Sequence, residues 1–201
     1  MTARVDAVCI TAIEPRRLAD FWAEALRWRV DDPSAAEIDL VPLDGTVCRV
    51  RIVPTDVPKA GRNRHHFDLT TSDLDDQVRT IGRLMVIGAR PADVGQRGDE
   101  GHIVLADPEG NEFCVLEPGN NFLAGTGRLG AINCDGLRAT GVFWQAVLGW
   151  PMVWDQDEET AVRTPDGPGP LITWSGPRGN LRQSLMPSGL AARARRTWCG
   201  K

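Results

Sequence analysis

At 201 residues, with 42% hydrophobic and 25% charged side chains, the chain has an ordinary folded composition and enough apolar residue to bury a sizeable core. A net charge of −4 argues against nucleic acid or an anionic membrane surface as the main partner, and no apolar run approaches membrane-spanning length. The five cysteines are odd in number, widely spaced and free of any Cys-x-x-Cys pair, and Met1 to Asp6 has no signal-peptide core, so they read as reduced thiols of a cytoplasmic protein.

Val5 to Thr11 alternates as a strand, with Val8 and Ile10 on one face. Pro15 suits a first helical position, and Leu18, Phe21, Trp22, Ala25 and Leu26 then trace an apolar helix stripe. Short strands follow near Trp28–Val30 and Glu37–Val41, with a turn signal at Asp44-Gly45. Val47 to Val53 is a strand with Val47, Arg49 and Arg51 on one face and Cys48, Val50 and Ile52 on the other. After a polar linker (55–64) the order repeats. His65 to Thr71 places His66 and Asp68 opposite Phe67 and Leu69. Ser72 to Asp75 has the form of a capping box, Leu74, Val78, Ile81 and Met85 make the expected buried stripe, and Gly88 marks the helix end.

A third copy starts near Arg128. Its Phe143-Trp144…Leu148-Gly149-Trp150 matches Phe21-Trp22…Leu26-Arg27-Trp28, with Asp135 as the expected helix cap and strands near Met152–Trp154, Thr160–Arg163 and Leu171–Trp174. Beyond it the repeat fails. Gly179 to Leu185 only faintly matches Gly61 to Phe67, so either a truncation or frame change near residue 180 or a divergent tail packing as a short helix is expected. Arg193, Arg195 and Arg196 read as a solvated face.

The second copy ends in Asp107-Pro108-Glu109-Gly110-Asn111-Glu112-Phe113-Cys114-Val115-Leu116, a tight turn running into a strand. This string resembles the last hairpin of a βαβββ module in the glyoxalase/bleomycin-resistance/extradiol-dioxygenase (vicinal oxygen chelate) superfamily, and is similar to its glyoxalase-like branch. The resemblance covers about residues 4–175. It implies an α+β fold of paired βαβββ modules forming a curved, cup-shaped mixed sheet with helices outside. The expected domains are 1–120 (modules 4–54 and 64–118) and 121–201 (module 126–175 plus an atypical tail).

In metal-dependent members of that superfamily, ligands stand on the first and last strands of each paired module. Carried over by register, these positions hold Ala7, Arg49, His66 and Cys114, expected around one cavity. A methyl group and a permanent cation among four such positions argue against a catalytic metal, because a divalent ion wants about three N, O or thiolate donors. No cofactor is therefore predicted, with a divalent metal held in a rearranged site as the less favoured alternative. Glu112, one pitch along the same face, is the weak point of that argument.

The expected lining is Arg49, Arg51, His66, Asp68, His102, Glu112 and Cys114, which suits a small polar or anionic molecule, with His66 and Asp68 for orientation or proton transfer. Each has a plainer reading: His66–Asp68 as a sheet-face pair, Arg49 and Arg51 bridged to acids such as Asp44, His102 as a rim residue, Cys114 as small filler. Trp22, Trp28, Trp144 and Trp150 read as core. Three functions stay open: a metal-free small-molecule binder; a glyoxalase-type lyase, isomerase or dioxygenase using His66; and an interaction protein whose incomplete lobe is covered by homodimerisation.

Overall fold

The computed structural model describes residues 4–96, 101–176 and 192–194. The first module contains β1 (Val5–Ala12), α1 (Pro15–Leu26), β2 (Arg29–Val30), β3 (Ile38–Val41) and β4 (Arg49–Pro54). The second contains β5 (His65–Leu69), α2 (Leu74–Val86), β6 (Arg90–Pro91), β7 (Ile103–Ala106) and β8 (Glu112–Val115). A 3-10 turn at Asn121–Leu123 leads to the third: β9 (Leu129–Cys134), α3 (Arg138–Leu148), β10 (Met152–Gln156), β11 (Glu159–Val162) and β12 (Leu171–Trp174). A last strand, β13 (Ala192–Ala194), follows. The fold is α+β, with mixed sheets and paired βαβββ modules. Gly179 to Gly189 and Arg195 to Lys201, where a truncated or helical tail was expected, lie outside the described residues.

Strand pairing joins the modules differently from the expected 1–120 and 121–201 domains. β5 pairs antiparallel with β9, so the second and third modules share one eight-stranded sheet in the order β10-β11-β12-β9-β5-β8-β7-β6. The first module forms a separate sheet, β13-β1-β4-β3-β2. Within every module the first strand runs parallel to the last, β1 with β4, β5 with β8 and β9 with β12, as a helix crossover requires.

One core lies between the two sheets. Val8, Ile10, Ile38, Leu40, Val50 and Ile52 from the first sheet, and Phe67, Leu69, Leu105, Phe113 and Val115 from the second, meet the buried face of α1. Trp22 is the hinge of this packing: its ring stands edge-on to Phe67 and Phe113 at centroid distances of 5.0 and 5.1 Å.

The Asp107 turn fastens α1 to the second module. Asp107, 2% exposed, accepts from Trp22 Nε1 at 3.0 Å. Glu109 accepts from the amides of Ile13 and Glu14 at 3.1 and 2.7 Å, supplying from afar the cap that Glu14 does not give α1 itself.

Three expectations about helices need correction. The α2 residues Leu74, Val78 and Met85 are exposed, while Gln77, Thr80 and Leu84 are buried and Ile81 packs partly buried against the core, because burial follows what the rest of the described chain lays over the helix and not the apolar spacing. Asp135 does not cap α3; Leu137 occupies the cap position without a side-chain bond. Trp144 is not core, although Trp22, Trp28 and Trp150 are. The α2 capping box forms one residue later than expected, with Asp73 accepting from the Asp76 amide at 2.7 Å and Asp76 accepting from the Ser72 amide at 3.1 Å, while Pro15 does open α1.

Candidate functional site on the outer face of the eight-stranded sheet

Alternation decides which side chains face outward. Phe67, Leu69, Phe113 and Val115 enter the common core, so His66, Asp68, Glu112 and Cys114 emerge on the opposite face of the eight-stranded sheet. By the same rule Val50 and Ile52 send Arg49 and Arg51 to the outer face of the other sheet. Both outward faces back onto one core, so they point away from each other. The four positions expected around one cavity are therefore divided: Ala7 and Arg49 on one face, His66 and Cys114 on the other. The physical reason is that β5 takes β9, not β1, as its antiparallel neighbour.

The two arginines are neutralised where they stand. Arg51 grips Asp39 with two bonds, Nε to Oδ1 at 2.6 Å and Nη2 to Oδ2 at 2.8 Å, and reaches Glu37 at 3.5 Å. Arg49 donates to Asp39 at 3.1 Å and lies 3.4 Å from Asp6. The Arg51 bond holds the Asp39 carboxyl below its ordinary range against the opposing effect of burial, with Arg49 adding to the shift. The bridge anticipated for these arginines thus forms, but to Asp39 rather than Asp44.

On the larger sheet the cluster is tight. Asp68, 5% exposed, stands in register with Cys114 on one side and Ala131 on the other. Its Oδ1 lies 3.3 Å from His66 Nε2, the Cys114 sulfur lies within 4.8 Å of the carboxylate, and Asn133 Nδ2 donates to Oδ2 at 3.5 Å. Ser175 donates in turn to Asn133 Oδ1 at 2.8 Å. Burial would lower the His66 pKa, but the bond and charge of Asp68, with the charges of Asp135 and Glu112, outweigh it and raise the pKa. Burial first, then Asp68, pushes the Cys114 thiol well up, so it stays protonated.

Glu112 is held by the linker that precedes β5. It accepts from Lys59 Nζ at 3.1 Å and from the Asn63 amide at 3.3 Å, which pins that segment beside the site. His102 precedes β7, in the register opposite Leu116 and beyond Cys114. Asn133, Thr173 and Ser175 come from the third module and were missed; the alternation of β9, where Asn133 follows core Ile132, was the available signal. Thr173 is in register with Asn133, which is in register with His66. Among the described residues the buried Thr173 hydroxyl has no hydrogen-bond partner. Beside this polar row, Leu123 packs on Ala131, Ala161 and Leu171, with Leu116, Phe122 and Trp154 around them. Gly130 permits that approach, since a Cβ there would stand 2.8 Å from Leu123 Cδ1.

The His66 nitrogen, an Asp68 oxygen and the Cys114 sulfur all lie within 4.8 Å of one another. Nitrogen, oxygen and sulfur donors in that number fit a zinc-type ion with a position left open, provided the thiol loses its proton.

Two modules joined through their first strands, with a side-chain cluster at the join on the outer face, define the vicinal oxygen chelate fold. The model of the glyoxalase-like domain matches residues 7–116, more than half of the sequence. The chain belongs to the glyoxalase-like domain family of that superfamily. Solved structures agree on the fold. A Bacillus subtilis protein assigned as a dioxygenase aligns over 89% of this chain and 66% of its own length, with a TM-score of 0.58 at 14% identity. Glyoxalase I from Zea mays aligns over 86% of this chain and 67% of its own, with a TM-score of 0.58 at 14% identity. The chain thus spans about two thirds of these proteins' length. No curated protein sequence matches it. No helix among the described residues is long and apolar enough to cross a membrane.

Proposed function

We propose that this protein binds a small polar, oxygen-bearing molecule on the outer face of its eight-stranded sheet, with His66 as the contacting group and Asp68 as the residue that orients it. The observation carrying this reading is a nearly buried carboxylate surrounded by an imidazole, a thiol and an amide, while the His66 side chain keeps 30% of its surface. The fold does not need such a group there: Ala131, in register beside it, and Val104, beyond Cys114 in the same row, are apolar. Arg49 and Arg51 stand on the other sheet and are engaged by Asp39, so this reading does not use them.

The His66, Asp68 and Cys114 cluster favours a second reading, a divalent metal at those three side chains serving a lyase, isomerase or dioxygenase of glyoxalase type. Such an ion would polarise a substrate oxygen as a Lewis acid. Asp68 would then orient His66 and share the metal with it, and Cys114 would give its proton to solvent.

Elemental analysis of protein purified without added metal, with a thermal-shift screen of small oxygenated molecules, separates the two. The first reading expects no stoichiometric metal and at least one ligand whose shift disappears in His66→Ala and survives in Arg49→Ala. Stoichiometric zinc, nickel, manganese or iron lost in Cys114→Ala establishes the second. A ligand shift unchanged in His66→Ala overturns the first.

A further inference from the structure

The internal repeat makes α1 and α3 counterparts, yet their surroundings differ. Leu26 and Trp28 are buried, and so are Leu148 and Trp150, so each helix docks on its own module alike. The outer halves diverge. Phe21 and Trp22 are 3% and 1% exposed beneath the second module, whereas Phe143 and Trp144 are 60% and 39% exposed. Ala25 is fully buried, and its counterpart Val147 is half exposed.

On α3, Ala139, Val142, Phe143, Ala146 and Val147 follow one another at i, i+3, i+4, i+7 and i+8, and all five are exposed. Between Arg138 and the end of the helix at Leu148 no residue is charged. A solvent-facing helix surface normally carries charge, and the stripe lacks it entirely. The exposed stripe of α2 is different, being flanked by Asp75, Asp76, Arg79 and Arg83.

We propose that the outer stripe of α3 is the surface through which two copies of this chain associate about a two-fold axis. Three features favour a second copy as the occupant. An uncharged stripe is complementary to itself, which an isologous contact demands. Ala139 and Ala146 flank Phe143 at four residues before and three after, so the aromatic ring of one copy meets a small-residue hollow on the other when the helices run antiparallel. The area also suffices: the exposed parts of Val142, Phe143, Trp144 and Val147 amount to roughly 350 Å² per copy. With about two thirds of a homodimer interface apolar, that corresponds to roughly 1,100 Å² in total, the lower end of specific interfaces, so the dimer is a reversible one.

Sedimentation velocity on the full chain over a wide concentration series tests this. The expected result is a concentration-dependent doubling of mass, with the dissociation constant rising about tenfold or more in Phe143→Glu and in Val147→Glu. Far-UV circular dichroism should stay unchanged, and two variants guard against one failing to fold. Val78→Glu on α2 should leave the dimer intact. A wild-type chain that stays monomeric at every concentration overturns the proposal. So does a dimer that survives both α3 variants or that yields to Val78→Glu. A loss of thermal stability in Phe143→Glu with the mass unchanged would assign the stripe to another segment of the same chain and would equally overturn it.

Discussion

Replacing Asp107 by alanine should loosen the joint between the first and second modules. The carboxylate accepts five hydrogen-bond contacts: Trp22 Nε1 at 3.0 Å, the Glu109 and Asn111 amides at 2.9 Å each, and Asn111 Nδ2 at 2.9 and 3.2 Å on its two oxygens. Alanine strands the Trp22 donor inside a core where Trp22 is 1% exposed, and unties the turn that carries Glu109 to the start of α1. A buried unsatisfied donor costs about 1–3 kcal/mol, and the released turn contacts add a similar amount. Against this, burial raises the Asp107 pKa, so removing the carboxylate returns part of its desolvation cost. The net expectation is a loss of about 3 kcal/mol, or ~6–12 °C in Tm for a chain of this size. Asp107→Asn keeps one acceptor and should lose roughly half as much. Urea unfolding followed by tryptophan fluorescence measures both. Trp22→Phe should cost less in the Asp107→Ala background than in the parent, since the bond is already gone. If Asp107→Ala unfolds within about 1 kcal/mol of the parent, the turn does not join the two modules.

Gly141→Ala should destabilise the protein by about 1–3 kcal/mol despite alanine's higher helix propensity, because the new methyl group would overlap the Thr160 hydroxyl and stand 3.0 Å from Trp174 Cε3; thermal melts give the sign. The Cys48 and Cys134 thiols are pushed up to about 12 by burial, and Cys114 is also pushed up, so peptide mapping after iodoacetamide treatment of the native protein at mildly alkaline pH should find all three unmodified, and unfolding should expose them. The Asp39 carboxyl titrates below its ordinary 3.8, so its contribution is complete above that pH and is lost as pH falls through the depressed value. The acid limb of a stability–pH curve should therefore flatten in Asp39→Asn, and an unchanged limb would show that Arg51 and Arg49 do not hold it.

The local grammar of this chain was written in its residues. Alternation placed His66, Asp68 and Cys114 opposite Phe67, Leu69 and Phe113, and nothing in the tertiary structure could reverse that without burying charge in the core. Pro15, Asp73 and the Asp107-Pro108-Glu109-Gly110 turn likewise act where local backbone chemistry puts them. What the chain did not spell out was partnership. The first strand of a βαβββ module presents the same backbone donors and acceptors whichever module comes beside it, so sequence order made residues 4–118 look like one pair. Only packing decided that β5 takes β9. That single choice removed Arg49 and Arg51 from the neighbourhood of His66 and brought Asn133 and Thr173 into it. The helices carry the same lesson. Apolar spacing marks a face on α2 and on α3, but whether that face is covered depends on what lies above it, and for Leu74, Val78, Phe143 and Trp144 no other part of the described chain does. Periodicity is a property of neighbours along the chain, whereas burial is a property of neighbours in space.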